Sequence, residues 1–158
     1  MWSFYLILLQ PHDHQKKIAK FYYATPELVN KAIVTSMEAK KEWERVPLQD
    51  RMDLFLKVAD QCADQYRADL NATTMLGQAK TIIQTEIDAA CELIDFFRFN
   101  CYFGKELLKY QPVSENPEAT LNLMRYRSFE GFVASVSPFN FTAIAGNLAY
   151  TPAIMVMN

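Results

Sequence analysis

Residues 132–148, FVASVSPFNFTAIAGNL, constrain the fold more than any other part of the chain. Phe132 to Ser137 is almost continuously apolar, the pattern of a strand buried on both faces. Ser-Pro-Phe-Asn then predicts a stiff turn, because the Pro138 ring fixes φ. The small and apolar residues after it predict a helix. In an α/β protein such a junction points side chains and free backbone N–H groups into one crevice, where ligands bind. Asn140 stands at the handover from strand to helix. The chain runs on only to Asn158, too few residues to finish an α/β domain. The expectation is the front part of an enzyme, cut just after its first active-site element.

Upstream, the pattern is helical. Thr25-Pro26 predicts a first helix, with Thr as N-cap and Pro at the first position. Leu28, Ala32, Met37 and Trp43 give it an approximate apolar stripe. Pro47 opens a second helix, along which Leu54, Phe55, Val58 and Cys62 recur. Asp64 to Thr74 reads as a third, with Met75-Leu-Gly77 as its end or a kink. The fourth has the cleanest period: Ile83, Ile87, Ala90, Ile94, Phe97 and Cys101 form a seam for packing against other helices. Gln111 to Thr120 is a loop with two prolines. Leu121 to Arg127 alternates as a strand does, and Phe129-Glu-Gly131 is a turn. The order is four helices, two strands and a helix.

Composition narrows the function. Hydrophobic residues make up 51% and charged residues 22%, a globular balance. A net charge of −2 gives no reason to expect nucleic acid or an anionic membrane. The apolar start, Met1 to Leu9, is far short of a bilayer span and has no basic flank, so it reads as a strand or a tail. Three cysteines, Cys62, Cys91 and Cys101, with no C-x-x-C, argue against a disulfide framework or a zinc site. His12-Asp-His14 lacks a third ligand, so no metal site is expected.

Asn140 carries the chemistry. Its amide donates two hydrogen bonds and never ionises. Beside free backbone N–H groups it suits an oxyanion, which appears on a carbonyl oxygen in the transition state. The plainer reading of the residues alone makes it a simple N-cap in a tight strand-to-helix turn. Phe139 and Phe141 offer flat apolar faces. Glu86, Asp88, Glu92 and Asp95 lie off the seam and read mostly as a solvated face. Glu92, between Ala90 and Ile94, can also be drawn inward, where it would need a partner such as a substrate amine.

With Ser137-Pro-Phe-Asn-Phe-Thr-Ala-Ile144 the chain resembles the aldehyde dehydrogenase superfamily, and within it the Δ1-pyrroline-5-carboxylate dehydrogenases. Lys41-Glu-Trp43, Gly77-Gln with Lys80-Thr81, Glu86-Ile-Asp-Ala-Ala90, Glu92-Leu-Ile-Asp-Phe-Phe-Arg-Phe-Asn100 and Glu130-Gly-Phe132 resemble the same family. The similarity runs from about His12 to Met155.

The resemblance implies an α/β fold, here mostly helices plus the first strands of an NAD-binding domain. Leu121 to Arg127 would belong to the layer that forms a homo-oligomer. Residues 1–10 would be a divergent tail, and residues 11–158 an incomplete N-terminal part of that domain. The implied reaction is NAD-dependent oxidation of L-glutamate γ-semialdehyde to L-glutamate in the mitochondrial matrix. Asn140 would be the oxyanion donor, Phe141 would pack on the substrate's aliphatic chain, and Glu92 would face its amino-acid end. Val136, Ser137, Pro138 and Phe139 would border the nicotinamide side of the cofactor. None of the three cysteines falls at the family's nucleophile position, so the chain alone is expected to be inactive. Both ends read as products of truncation, alternative splicing or gene-model error. Two other readings stand beside this one: a non-catalytic module that pairs with full-length subunits, and a self-contained helical scaffold.

Overall fold

The computed structural model describes residues 4–157. It opens with an antiparallel hairpin of β1 (Tyr5–Gln10) and β2 (Asp13–Tyr22). Of the apolar start, Tyr5 to Leu9 lies in a strand, and Pro11-His12 makes the hairpin's turn. Tyr5 lies opposite Tyr22 with their rings edge to face at 6.0 Å, and Lys20 Nζ sits 3.9 Å from the centre of the Tyr5 ring. A bulge between Leu8 and Gln10 bends the ladder near the turn.

Helix α1 (Pro26–Trp43) begins as its sequence dictates: Thr25 Oγ1 accepts from the Leu28 N–H at 3.3 Å, and Pro26 loses nothing at a position with no helical acceptor. It buries none of its residues, so the expected stripe of Leu28, Ala32, Met37 and Trp43 is only partly covered. Trp43 Nε1 donates to the Ile154 carbonyl at 3.0 Å. Lys40 Nζ and Ser128 Oγ both bond Glu44 Oε2, at 2.6 and 3.0 Å.

The core lies where α2 (Leu48–Ala63) crosses α5 (Glu92–Leu107). Ala59, fully buried, lets the helices approach, and Leu93, Ile94 and Phe97 fill the contact. Phe97 stacks on Phe55 with ring centres 6.0 Å apart. Burying each large side chain of this cluster stabilises by about 2 kcal/mol. Ile144, from α6 (Ile144–Pro152), completes the cluster. A second cluster joins Met52, Cys101 and Met155.

The fourth predicted helix is α4 (Ile82–Thr85), a π-helical segment (Glu86–Cys91) and α5 in one continuous run. The Glu92 N–H bonds the Ile87 carbonyl, five residues back. This widening breaks the predicted seam. Ala90, Ile94, Phe97 and Cys101 are buried, whereas Ile83 and Ile87 are 71% and 51% exposed. One extra residue rotates the helix before it by about 100° relative to the helix after it, so no single stripe can span both sides. Helix α3 (Arg67–Gln78) starts later and ends later than expected, because Gly77 stays helical and Ala79 takes the left-handed cap with φ 53°.

Both predicted strands after α5 are absent as strands. Among the described residues only β1 and β2 form a ladder. Along 121–127 two backbone groups bond side chains instead: the Asn122 N–H donates to Ser114 Oγ at 2.9 Å and the Met124 N–H to Gln111 Oε1 at 3.0 Å. Gly131, at φ +83°, makes the expected turn. Phe132 to Ser137 comes next, with no partner strand among the described residues. Phe132 and Val133 instead line a groove with Leu28, Val29 and Ile33 of α1. The apolar run encodes a demand for neighbouring strands, and nothing in residues 4–157 meets it.

Candidate active site

The Ser-Pro-Phe-Asn turn stands open. Residues 134–140 are all exposed, with Val136 and Phe139 at 95% and 96%. Asn140 does not cap α6, which begins four residues later at Ile144. Its side chain is exposed to solvent rather than folded under the helix. Phe141 marks the point where the turn meets the core. It is half-buried against the cluster of Ala59, Leu93, Ile94, Phe97 and Ile144.

The α3–α4 link holds the turn. Lys80 Nζ donates to the Asn140 carbonyl at 3.0 Å and to Asp88 Oδ2 at 2.7 Å, and it sits 4.6 Å from the centre of the Phe141 ring. In the orientation that matches donors to acceptors, the Gln78 amide nitrogen donates to the Asn140 carbonyl at 3.0 Å. Its oxygen accepts from the Phe141 and Thr142 N–H groups and from Thr142 Oγ1, each at 3.2 Å. Thr81 fixes the start of α4 through a reciprocal cap: Gln84 N–H to Thr81 Oγ1 at 3.3 Å, and Thr81 N–H to Gln84 Oε1 at 2.9 Å.

The wide helical turn supplies the carboxylates. Asp88 points to Lys80, while Glu86 bonds Arg67 Nε at 2.6 Å and also Arg67 Nη2 and Asn71 Nδ2. The expectation of a solvated acidic face is therefore wrong for these two residues. Each is half-buried and paired. The Arg67 guanidinium, then the Asn71 amide, hold the Glu86 carboxyl below its ordinary value.

Glu92 lies half-buried on the first turn of α5. The next residue, Leu93, belongs to the cluster on which Phe141 packs, so the turn and the start of α5 come to one place. Val136, Ser137, Pro138 and Phe139 form an exposed ledge leading into the turn. Burial raises the Cys62 and Cys101 thiols above their usual range. Cys91 Sγ accepts from Arg67 Nη2 at 3.3 Å. Reading residue types singled out the turn but missed Gln78, Lys80 and Asp88 as its supports. The available signal was the short Gly77–Thr81 segment of the resemblance, to which no role was attached.

The turn thus stands open, with the exposed apolar Val136 and Phe139 beside it and the α2–α5 core behind it. The aldehyde dehydrogenase family model matches residues 6–158, and the chain belongs to that family. Within it, the chain is similar to the Δ1-pyrroline-5-carboxylate dehydrogenases. The mitochondrial enzyme of Rattus norvegicus is 55% identical over 147 residues, which cover 93% of this chain and 26% of the relative. That of Homo sapiens is 54% identical over the same shares. The crystal structure of the Mycobacterium tuberculosis enzyme superposes with a TM-score of 0.91 at 41% identity, covering 99% of this chain and 29% of that one. The same enzyme bound with NAD gives 0.92 at 40% identity, covering 100% and 29%. The fold is thus the N-terminal part of the aldehyde dehydrogenase fold. The chain spans about a quarter of the length of the curated relatives it matches.

Proposed function

We propose that this chain forms one wall of the active site of an NAD-dependent dehydrogenase that oxidises L-glutamate γ-semialdehyde to L-glutamate in the mitochondrial matrix. The observation that carries this reading is the open, externally braced turn at residues 137–142, with the Asn140 amide exposed at its tip. When a thiolate adds to an aldehyde, charge moves onto the carbonyl oxygen. A fixed amide N–H donor stabilises that charge, at about 3 kcal/mol for one donor. Half-buried Phe141 would pack on the substrate's aliphatic chain, and Glu92 would supply a carboxylate for its ammonium group.

The ledge is assigned to the nicotinamide side of the cofactor. Val136 and Phe139 are exposed and apolar, and Ser137 and Pro138 between them are exposed too, so the four supply accessible surface for a nicotinamide ring. NAD, when bound, supplies the hydride acceptor. None of the three cysteines falls at the family's nucleophile position, and burial raises the Cys62 and Cys101 thiols above their ordinary value, which disfavours the thiolate. The purified chain, given NAD and semialdehyde, is therefore expected to produce no NADH; a steady rate above background would refute the assignment of an external nucleophile. Grafted onto the remaining length of the rat relative, the segment is expected to restore activity. Asn140→Ala in that enzyme should then lower kcat by about 10²- to 10³-fold. Unchanged kcat would remove Asn140 from the reaction.

The exposed apolar surface supports a second reading, a non-catalytic module that pairs with full-length subunits. Co-purification of a defined hetero-oligomer would favour it, whereas insoluble material alone would not.

A further inference from the structure

The strands that would hold the Asn140 turn from one side are absent among the described residues, yet the turn is held. Four of its polar groups converge on two side chains. The Asn140 carbonyl accepts from both Lys80 and Gln78, and Phe141 N–H, Thr142 N–H and Thr142 Oγ1 all donate to Gln78. These two side chains flank Ala79, whose left-handed backbone ends α3 and turns both toward the same bend. Lys80 is fixed in turn. Asp88 on the π-helical segment binds its ammonium at 2.7 Å, and the Phe141 ring covers it at 4.6 Å. The side chains of Lys80 and Asp88 are only 18% and 28% exposed, so water screens the pair less than a surface one.

We propose that Gln78 and Lys80 are positioning residues that set where the Asn140 amide points. The proposal deepens the reading of Asn140 as oxyanion donor and rests on it. The Gln78 amide is planar and neutral, with a donor and an acceptor side by side. It can therefore grip a carbonyl and the two N–H groups after it, which neither a carboxylate nor an ammonium can do. Lys80 adds charge where the carbonyl dipole points. An oxyanion donor displaced by about 1 Å forfeits roughly 10²-fold in rate, so the clamp would act on turnover more than on substrate binding.

Two measurements test this. On the chain itself, Gln78→Ala is expected to raise hydrogen exchange at the Phe141 and Thr142 amides at least tenfold, with exchange in α2 and α5 unchanged. Lys80→Met should raise it at Phe141 as a second, smaller perturbation. In the grafted enzyme, Lys80→Met should lower kcat about 10- to 100-fold with KM within about twofold, and Lys80→Arg should recover part of the loss. Unchanged exchange at both amides, a loss of protection spread over α2 and α5, or a fall in kcat/KM carried by KM alone would overturn the clamp. The parent reading fails separately: if Asn140→Ala leaves kcat intact while the exchange result holds, the clamp holds a turn that is not an oxyanion site.

Discussion

Ala79 shows how one residue's backbone serves the site. A left-handed conformation costs a residue with a Cβ about 1 kcal/mol, and glycine avoids that cost at the expense of some unfolded-state entropy. Ala79→Gly should therefore raise stability by about 0.5 kcal/mol, read as a higher denaturant midpoint with unchanged slope. Glu86 gives a pH handle at the same scale. Its carboxyl is held below the ordinary value by Arg67 and Asn71. Its contribution is therefore complete above the unfolded carboxylate's pKa, and it is lost as pH falls through the lower folded value. Glu86→Gln is expected to flatten the acid limb of a stability–pH curve measured from about pH 7 to about pH 3. An unaltered limb would mean that the pair with Arg67 adds nothing.

Among the elements, α1 and α5 differ sharply in burial, and their local stabilities are expected to differ with it. Helix α1 buries no residue and depends on its cap and a few long-range bonds. Thr25→Ala should cost about 1 kcal/mol. Exchange should rise about fivefold within α1 and stay constant in α5. Phe97, by contrast, stacks on Phe55 in the main cluster, and Phe97→Ala should cost about 3–5 kcal/mol across the fold. The two helices also show how much a sequence discloses. Thr25-Pro26, Pro47 and the Gly131 turn are legible because capping and turn chemistry act within a few residues. The seam is legible from Ala90 to Cys101, where one helical period holds. It fails at Ile83 and Ile87 because no local signal announces the extra residue of the π turn. The strand pattern of Phe132 to Ser137 records the kind of partner the segment would pair with, not whether one is present. The supports of the turn escaped notice because Gln78 and Lys80 are ordinary residues at a helix end until the fold brings residue 140 to them.

At the scale of the whole molecule, the surface carries an unusual load of large apolar side chains. Leu121, Leu123, Val136 and Phe139 are each at least 66% exposed. A folded chain of this kind should bind a hydrophobic dye and scatter more light as its concentration rises. Replacing Leu121 and Leu123 by Lys should lower that scattering without changing helical content. Undiminished scattering would place the sticky surface elsewhere.

The bond between Lys80 and Asn140 joins residues 60 positions apart. Synthesis proceeds from the N-terminus, so α3, its left-handed end and the π turn leave the ribosome well before the segment they hold. The bend at residues 137–142 has no hydrogen-bond ladder of its own among the described residues to shape it on emergence. It acquires its shape on arrival, by being caught on groups already in place, so its geometry is inherited from a segment made before it.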